Sequence, residues 1–306
     1  MNHRDVIARI PPARLAWLSQ RTDGPGLRHL AGHVALIGAL GIWVGAGWPF
    51  WPLALAPLGV ALVFLFTLEH EATHQTPFAN RALNEWVGRG CGLILLLPFE
   101  WFRAFHLAHH RHTNIPGRDP ELEGGKPETW RAYLLHISGL PVWAGQVRQL
   151  WRNAKGADPG PFVPRQAQPR IAREARIMLG IYAVAAASFT VTPLLLWVWI
   201  VPLLLGQPVL RLYLLAEHGR CAYVANMLEN TRTTFTNRLV RYLAWNMPYH
   251  TEHHVLPAVP FHRLPALHAE MRDALGVTAS GYAAFTADYA RSLSGGSTLA
   301  EDRPAG

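Results

Sequence analysis

Nine of the sixteen histidines fall into a pattern with chemical meaning. His70-Glu-Ala-Thr-His74, His106-Leu-Ala-His109-His110 and His250-Thr-Glu-His253-His254 form three short clusters, and His218 stands alone between the second and the third. On a helix, residues three and four apart share a face, so each cluster aims two or three imidazoles in one direction. Neutral imidazole binds iron, copper, zinc and nickel. Eight or nine such ligands exceed what one tetrahedral ion uses and suit two metals of four or five ligands each. Without a metal to accept their lone pairs, so many stacked imidazoles would cost polar desolvation. His112 falls two residues past His110 and off the shared face, so it reads as a neighbour of the ligands or as part of a basic loop. His3, His29, His33, His136, His262 and His268 are isolated and read as structural.

The first cluster also spells H-E-x-x-H, the zinc-protease signature, with Glu71 in the place of the general base. A zinc protease needs three protein ligands and no redox chemistry, which leaves the six histidines of the other two clusters without a task. A metal transporter needs polar groups inside its membrane spans. The charge-free stretches described next offer only His29 and His33. Ligand imidazoles usually donate their second N–H to a carboxylate or carbonyl, and Glu71, Asp119, Glu217 and Glu252 are near enough in sequence to serve.

The elements that must position these histidines are written in the charge pattern. Half of the 306 residues are hydrophobic and 16% are charged, below the quarter usual in soluble proteins. Residues 29–68 and 177–210 contain no Asp, Glu, Lys or Arg. A span needs about 20 residues, so each stretch holds two spans joined by a turn. The first turn is Gly47-Trp48-Pro49-Phe50-Trp51-Pro52, and the second lies near Thr190 to Pro193. The fourth span must run past Arg211 toward Glu217, with Arg211 snorkelling or facing protein. The apolar patch from Cys91 to Phe99 is too short to cross and reads as re-entrant or interfacial. The expected fold is therefore an all-α integral membrane protein: four transmembrane helices in two hairpins, with a helical cytosolic cap that carries the metals. The spans fall at about 29–48, 51–70, 174–191 and 193–216. Residues 1–27 form a cytosolic, surface-lying segment without a signal peptide, 28–270 the membrane domain, and 271–306 a cytosolic tail whose last residues, 294–306, look disordered.

The net charge of +8 arises in the loops beside these apolar spans. That is the positive-inside pattern rather than a nucleic-acid surface, and it puts both termini and every histidine cluster on the cytoplasmic side. Arg103, Arg111 and Arg118 are read as loop charge, with a substrate headgroup or redox partner as the alternative. The two cysteines, Cys91 and Cys221, form no paired motif.

HEATH, HLAHHRH and HTEHH, in this order between paired hairpins, resemble the three histidine boxes of the membrane fatty acid desaturases. The resemblance covers about residues 30 to 270 and is closest from Trp245 through the third box to Pro265. The chain also resembles a small bacterial subgroup that includes dihydrorhizobitoxine desaturase and relatives labelled hydrocarbon oxygenases. It implies that His70, His74, His106, His109, His110, His250, His253 and His254 are iron ligands, and that His218 is the family's extra histidine near the fourth span. It further implies two iron ions, O2 as co-substrate, an acyl or lipid-like substrate, and desaturation or, with the same metals, hydroxylation. No cytochrome b5 signature is present, so the electrons would come from a separate ferredoxin or cytochrome-type donor. The sequence departs from the pattern in two places. Three residues separate the histidines of the first box where many acyl-CoA desaturases have four, and Leu214 stands where the family places a water-bridging asparagine.

Overall fold

A computed structural model describes residues 2–293 of the chain. The tail expected to be disordered, 294–306, lies outside the described residues. The described chain is overwhelmingly helical. Two short helices, α1 (His3–Arg9) and α2 (Pro12–Leu18), lead into α3 (Asp23–Gly45). The first is capped by Asn2, whose side chain accepts from the Arg4 and Asp5 amides. The Pro- and Gly-containing turn, with Gly47 and Phe50 both at positive φ, reverses the chain into α4 (Trp51–Val63) and α5 (Leu65–Thr73), which run on as one long rod.

Next come α6 (Arg81–Leu95) and α7 (Phe99–His112), which meet at 100°. The corner falls inside the short apolar patch read as re-entrant. Leu96 adopts φ 60, and Pro98 caps α7, so neither helix can continue into the other. A second bent pair, α8 (Trp130–Ser138) and α9 (Leu140–Ala154), turns at Gly139. It presents Trp130, Leu134, Leu135, Leu140, Val147 and Trp151 outward.

The second charge-free stretch forms the end of α10 (Gln168–Ser188), a π-helical turn over Leu196–Ile200, and α11 (Val201–His218). Helices α4 and α11 touch backbone to backbone. A Cβ on Gly59 would lie 2.1 Å from the Pro202 carbonyl oxygen, and one on Gly206 would lie 2.3 Å from that of Gly59. Small residues at this crossing permit the approach.

The remainder folds as a cap of short pieces: α12 (Met227–Asn230), β1 (Thr233–Thr234), α13 (Arg238–Leu243), α14 (His250–Val255), α15 (Leu264–Met271), β2 (Thr278–Ala279) and α16 (Tyr282–Arg291). The strands pair in parallel, Thr233 with Thr278 and Thr234 with Ala279, a small departure from an all-helical chain. Trp245, fully buried, fastens the cap to the first hairpin by donating from Nε1 to His33 Nδ1 at 3.1 Å. His33 in turn bonds the Ala61 carbonyl at 2.8 Å, while His29 bonds the Tyr242 carbonyl at 2.8 Å. Both hydrogen-bond to backbone carbonyls and pack against Trp245.

Three helical stretches among the described residues are long and apolar enough to cross a membrane: Pro12–Gly45, Trp51–Thr73 and Leu196–His218. The bent α6–α7 pair makes a fourth if it counts as one span. The third span anticipated from sequence falls on α10. That helix has the length, but Arg170, Arg173, Glu174 and Arg176 occupy its first half and keep it outside this set.

Candidate metal centre

Four elements bring the histidines together. The rod ends in His70 and His74 on and just after α5, α7 contributes His106, His109 and His110, α11 ends on His218, and α14 carries His250, His253 and His254. Eight of the nine are buried and His74 is half-buried.

They divide into two groups. One nitrogen from each of His70, His74, His106, His110 and His253 lies within 4.8 Å of the others, and the same holds for His109, His218 and His254. His250 sits beside the second group, its Nε2 3.1 Å from the Nε2 atoms of both His218 and His254. The division follows helical geometry. At about 100° per residue, positions four apart stay on one face, so 70 with 74, 106 with 110 and 250 with 254 remain together. His109 and His253 point off those faces, and each joins the other group.

The contacts have the character of a ligand set. His74 and His106 approach Nε2 to Nε2 at 2.8 Å, and His109 and His218 at 3.2 Å. Both ring nitrogens of His70, His110 and His253 are shielded from solvent and without a hydrogen-bond partner. Leaving a buried polar atom unpaired costs about 1–3 kcal/mol, and a cation shared by the converging lone pairs removes that cost. Burial, then the neighbouring imidazoles, hold His250, His253 and His254 well below the ordinary histidine range, so these rings are neutral and able to donate to a metal. The residues present therefore fit a metal centre built on these two groups of imidazoles.

The second ring nitrogens explain how the histidines are oriented. His109 Nδ1 donates to Asp119 at 3.0 Å, and Asp119 is itself held by the amides of Asn114 and Glu121. His218 Nδ1 donates to the Asn230 carbonyl at 3.0 Å, and His254 Nδ1 meets the Thr113 hydroxyl at 3.1 Å. His250 faces Glu217 and His253 faces Glu71, each across 3.4 Å. Such partners fix the tautomer and leave Nε2 for the metal.

Of the four carboxylates anticipated from sequence, Asp119 takes this role by a hydrogen bond, and Glu217 and Glu71 face His250 and His253 at 3.4 Å without one. Glu252 does neither: it accepts from Thr233 Oγ1 at 2.5 Å and pairs with His268, pinning α14 to the strand and to α15. Glu71, fully buried, accepts from Thr76 at 2.6 Å and faces His253, which is no place for the water-activating base of a protease. Asn230 and Thr113 escaped the sequence reading. A backbone carbonyl carries no side-chain signal, and one hydroxyl after a histidine run looks like any other.

His112 joins neither group. With Arg111, Arg118 and Tyr223 it lines an open cleft of about 1250 Å³ that shares Gly125 and Lys126 with the cavity described below. Arg103 is occupied by Glu85 at 2.7 Å. A narrower cavity of about 500 Å³ reaches His70, His106, His109 and His250, walled by Phe66, Leu97, Phe102, Phe105 and Leu214. His136, read as structural, lines this cavity with its Nε2 unpartnered.

Comparison with known proteins agrees with this geometry. The fatty acid desaturase family matches residues 17–286. An sn-1 oleoyl-lipid 12-desaturase of Arthrospira platensis is 24% identical over 250 residues, 74% of this chain and 70% of the relative. The dihydrorhizobitoxine desaturase of Bradyrhizobium elkanii is 28% identical over 232 residues, 70% of this chain and 65% of the relative. A sphingolipid delta(4)-desaturase/C4-monooxygenase of Mus musculus is 24% identical over 274 residues, covering 86% and 78%. With two convergent histidine groups beside a cavity walled in part by aromatic side chains and a family match over most of its length, the chain belongs to the fatty acid desaturase family and is an integral membrane oxidoreductase with a desaturase function.

Proposed function

We propose that the two histidine groups hold two iron ions, with His70, His74, His106, His110 and His253 around one and His109, His218, His250 and His254 around the other. The protein then inserts a double bond into an acyl chain or lipid-like substrate, with O2 as co-substrate and electrons from a separate ferredoxin or cytochrome-type protein. The observation that carries this reading is the set of buried, unpartnered ring nitrogens on His70, His110 and His253, converging in one group whose His70 and His106 open on the cavity. Iron bound there supplies the redox chemistry needed to take hydrogen from an unactivated methylene. The chain's own residues do the positioning. Phe66, Phe102 and Phe105 line the cavity wall beside His70 and His106 and give the substrate's reacting carbons an apolar surface to lie against. Asp119, the Asn230 carbonyl, Glu71 and Glu217 hold the imidazoles in one orientation.

The membrane domain spans about 28–270, with the termini and the metals on the cytoplasmic side, as the loop charge favours. Elemental analysis after iron reconstitution should give two irons per chain. Expression in a lipid-producing host, with mass spectrometry of whole-cell lipids and small amphiphiles, should then show a loss of two hydrogens. A gain of one oxygen instead would make the protein a hydroxylase on the same metals, and one zinc with no iron-dependent activity would sink the reading.

A further inference from the structure

The cavity beside the histidines is not apolar throughout. Arg211, Lys126, Glu121, Glu217, His136 and Gln146 also line it. Most of this charge is answered internally. Lys126 pairs with Glu121 at 3.0 Å, and Glu217 faces His250 Nδ1. Arg211 feels Glu121 and Glu217 across the cavity but touches neither. Among the described residues its guanidinium has no hydrogen bond or ion pair, and its Nε is shielded from solvent. His136 Nε2 and the Gln146 amide oxygen are likewise shielded and unpartnered, and they come from α8 and α9 on other walls of the same cavity. The amide can present its N–H₂ instead by a half-turn. Three polar atoms without a partner, on three helices, thus line one cavity, on residues that are themselves half-buried. A snorkelling arginine would instead send its head outward to water or headgroups.

Resting on the desaturase reading, we propose that the substrate carries a carboxylate, and that Arg211, helped by His136 and Gln146, holds it inside the cavity rather than at the membrane surface. Arginine's planar fork matches a carboxylate in a bidentate pair. The lining carries two cations, Arg211 and Lys126, against two carboxylates, Glu121 and Glu217, so a phosphomonoester of about −1.5 to −2 charge would be repelled more than a singly charged carboxylate. The placement also sets the substrate's scale. Arg211 precedes His218 by seven residues on α11, about 10 Å along the axis at 1.5 Å per residue, and helical side chains lean back toward the N-terminus. The head therefore lies on the order of 10 Å from the histidines. Only a short run of carbons separates it from the attacked bond, so the substrate is a compact, unesterified acid rather than a glycerolipid.

The test is equilibrium binding of labelled decanoate to the full-length protein in neutral phosphatidylcholine nanodiscs, with empty nanodiscs subtracted. Saturable binding of one decanoate per chain is expected, with methyl decanoate competing at least tenfold more weakly and decyl phosphate also weaker. Arg211→Met should weaken decanoate at least tenfold while leaving the ester unchanged. Arg211→Lys should retain part of the preference, and His136→Gln should lose less. Equal competition by the acid and its ester in the wild-type protein would overturn the proposal even if the Arg211 variants fail to fold. So would unchanged decanoate binding in a folded Arg211→Met protein, or a preference for the phosphate. Because binding needs no turnover, a protein that captures decanoate yet never desaturates would count against the catalytic reading alone.

Discussion

His253 has both ring nitrogens buried and without a hydrogen-bond partner, with Glu71 across 3.4 Å and the imidazoles of His70, His74, His106 and His110 around it. No nearby side chain can replace a ligand at that point, so His253→Ala should abolish turnover and lower the iron content, read by elemental analysis. His109→Ala and His218→Ala should do the same through the second group. Full iron and near-normal activity in His218→Ala would leave that histidine merely a neighbour. The orienting carboxylates act one step removed. Asp119→Asn keeps the shape while weakening the acceptor of the His109 N–H, and should cost about 10- to 100-fold in metal affinity or activity. Glu252→Gln is predicted to behave differently, because its carboxylate holds Thr233 and His268 rather than a ligand imidazole. Its thermal midpoint should fall while the iron stoichiometry stays unchanged; a loss of iron at normal stability would return Glu252 to the metal's surroundings.

At the scale of elements, the metal groups depend on two long helices holding a fixed register. Helix α5 ends on the first cluster and α11 ends on His218, and the crossing of α4 with α11 is a backbone contact at Gly59 and Gly206. A methyl group at Gly206 has no room, since the Gly59 carbonyl oxygen would lie 2.3 Å away. Gly206→Ala should push the helices apart and destabilise the protein by about 1–3 kcal/mol, the usual cost of overpacking. It should lower iron occupancy of the second group, since His218 moves with α11. Thermal unfolding in detergent checks the first effect and metal analysis the second; an unchanged melting curve would show that this crossing is not under constraint.

For the molecule as a whole, all histidine-bearing ends face one side, together with the open cleft that Arg111, His112 and Arg118 line. If that side is cytoplasmic, as the loop charge argues, a cysteine placed at Gly156 should resist a membrane-impermeant label from outside, while one near Pro49 should react. Efficient exterior labelling at Gly156 would invert the topology. It would also count against a cytosolic electron donor.

The sequence by itself determined the ligand inventory and much of the scaffold, because both are local matters. The i, i+4 spacing of His70 with His74 and of His106 with His110 follows from the helical repeat, and the long apolar rods follow from the absence of charge over 29–68 and 177–210. Asp119, Glu71 and Glu217 were legible as orienting partners because they lie beside the clusters in the chain. What only the tertiary structure decided comes from elements far apart in sequence. His109 and His253 each exchange into the group opposite their own cluster, because which metal an off-face histidine meets depends on how α7 and α14 pack. Glu252 turns away toward His268, His218 leans on the Asn230 carbonyl, and His136 opens on the cavity instead of into the core. Arg211 reads in the sequence as one charge at the edge of an apolar span. Only the packing of α8 and α9 against α11 places it, without a direct hydrogen bond or ion pair, in the lining of the cavity.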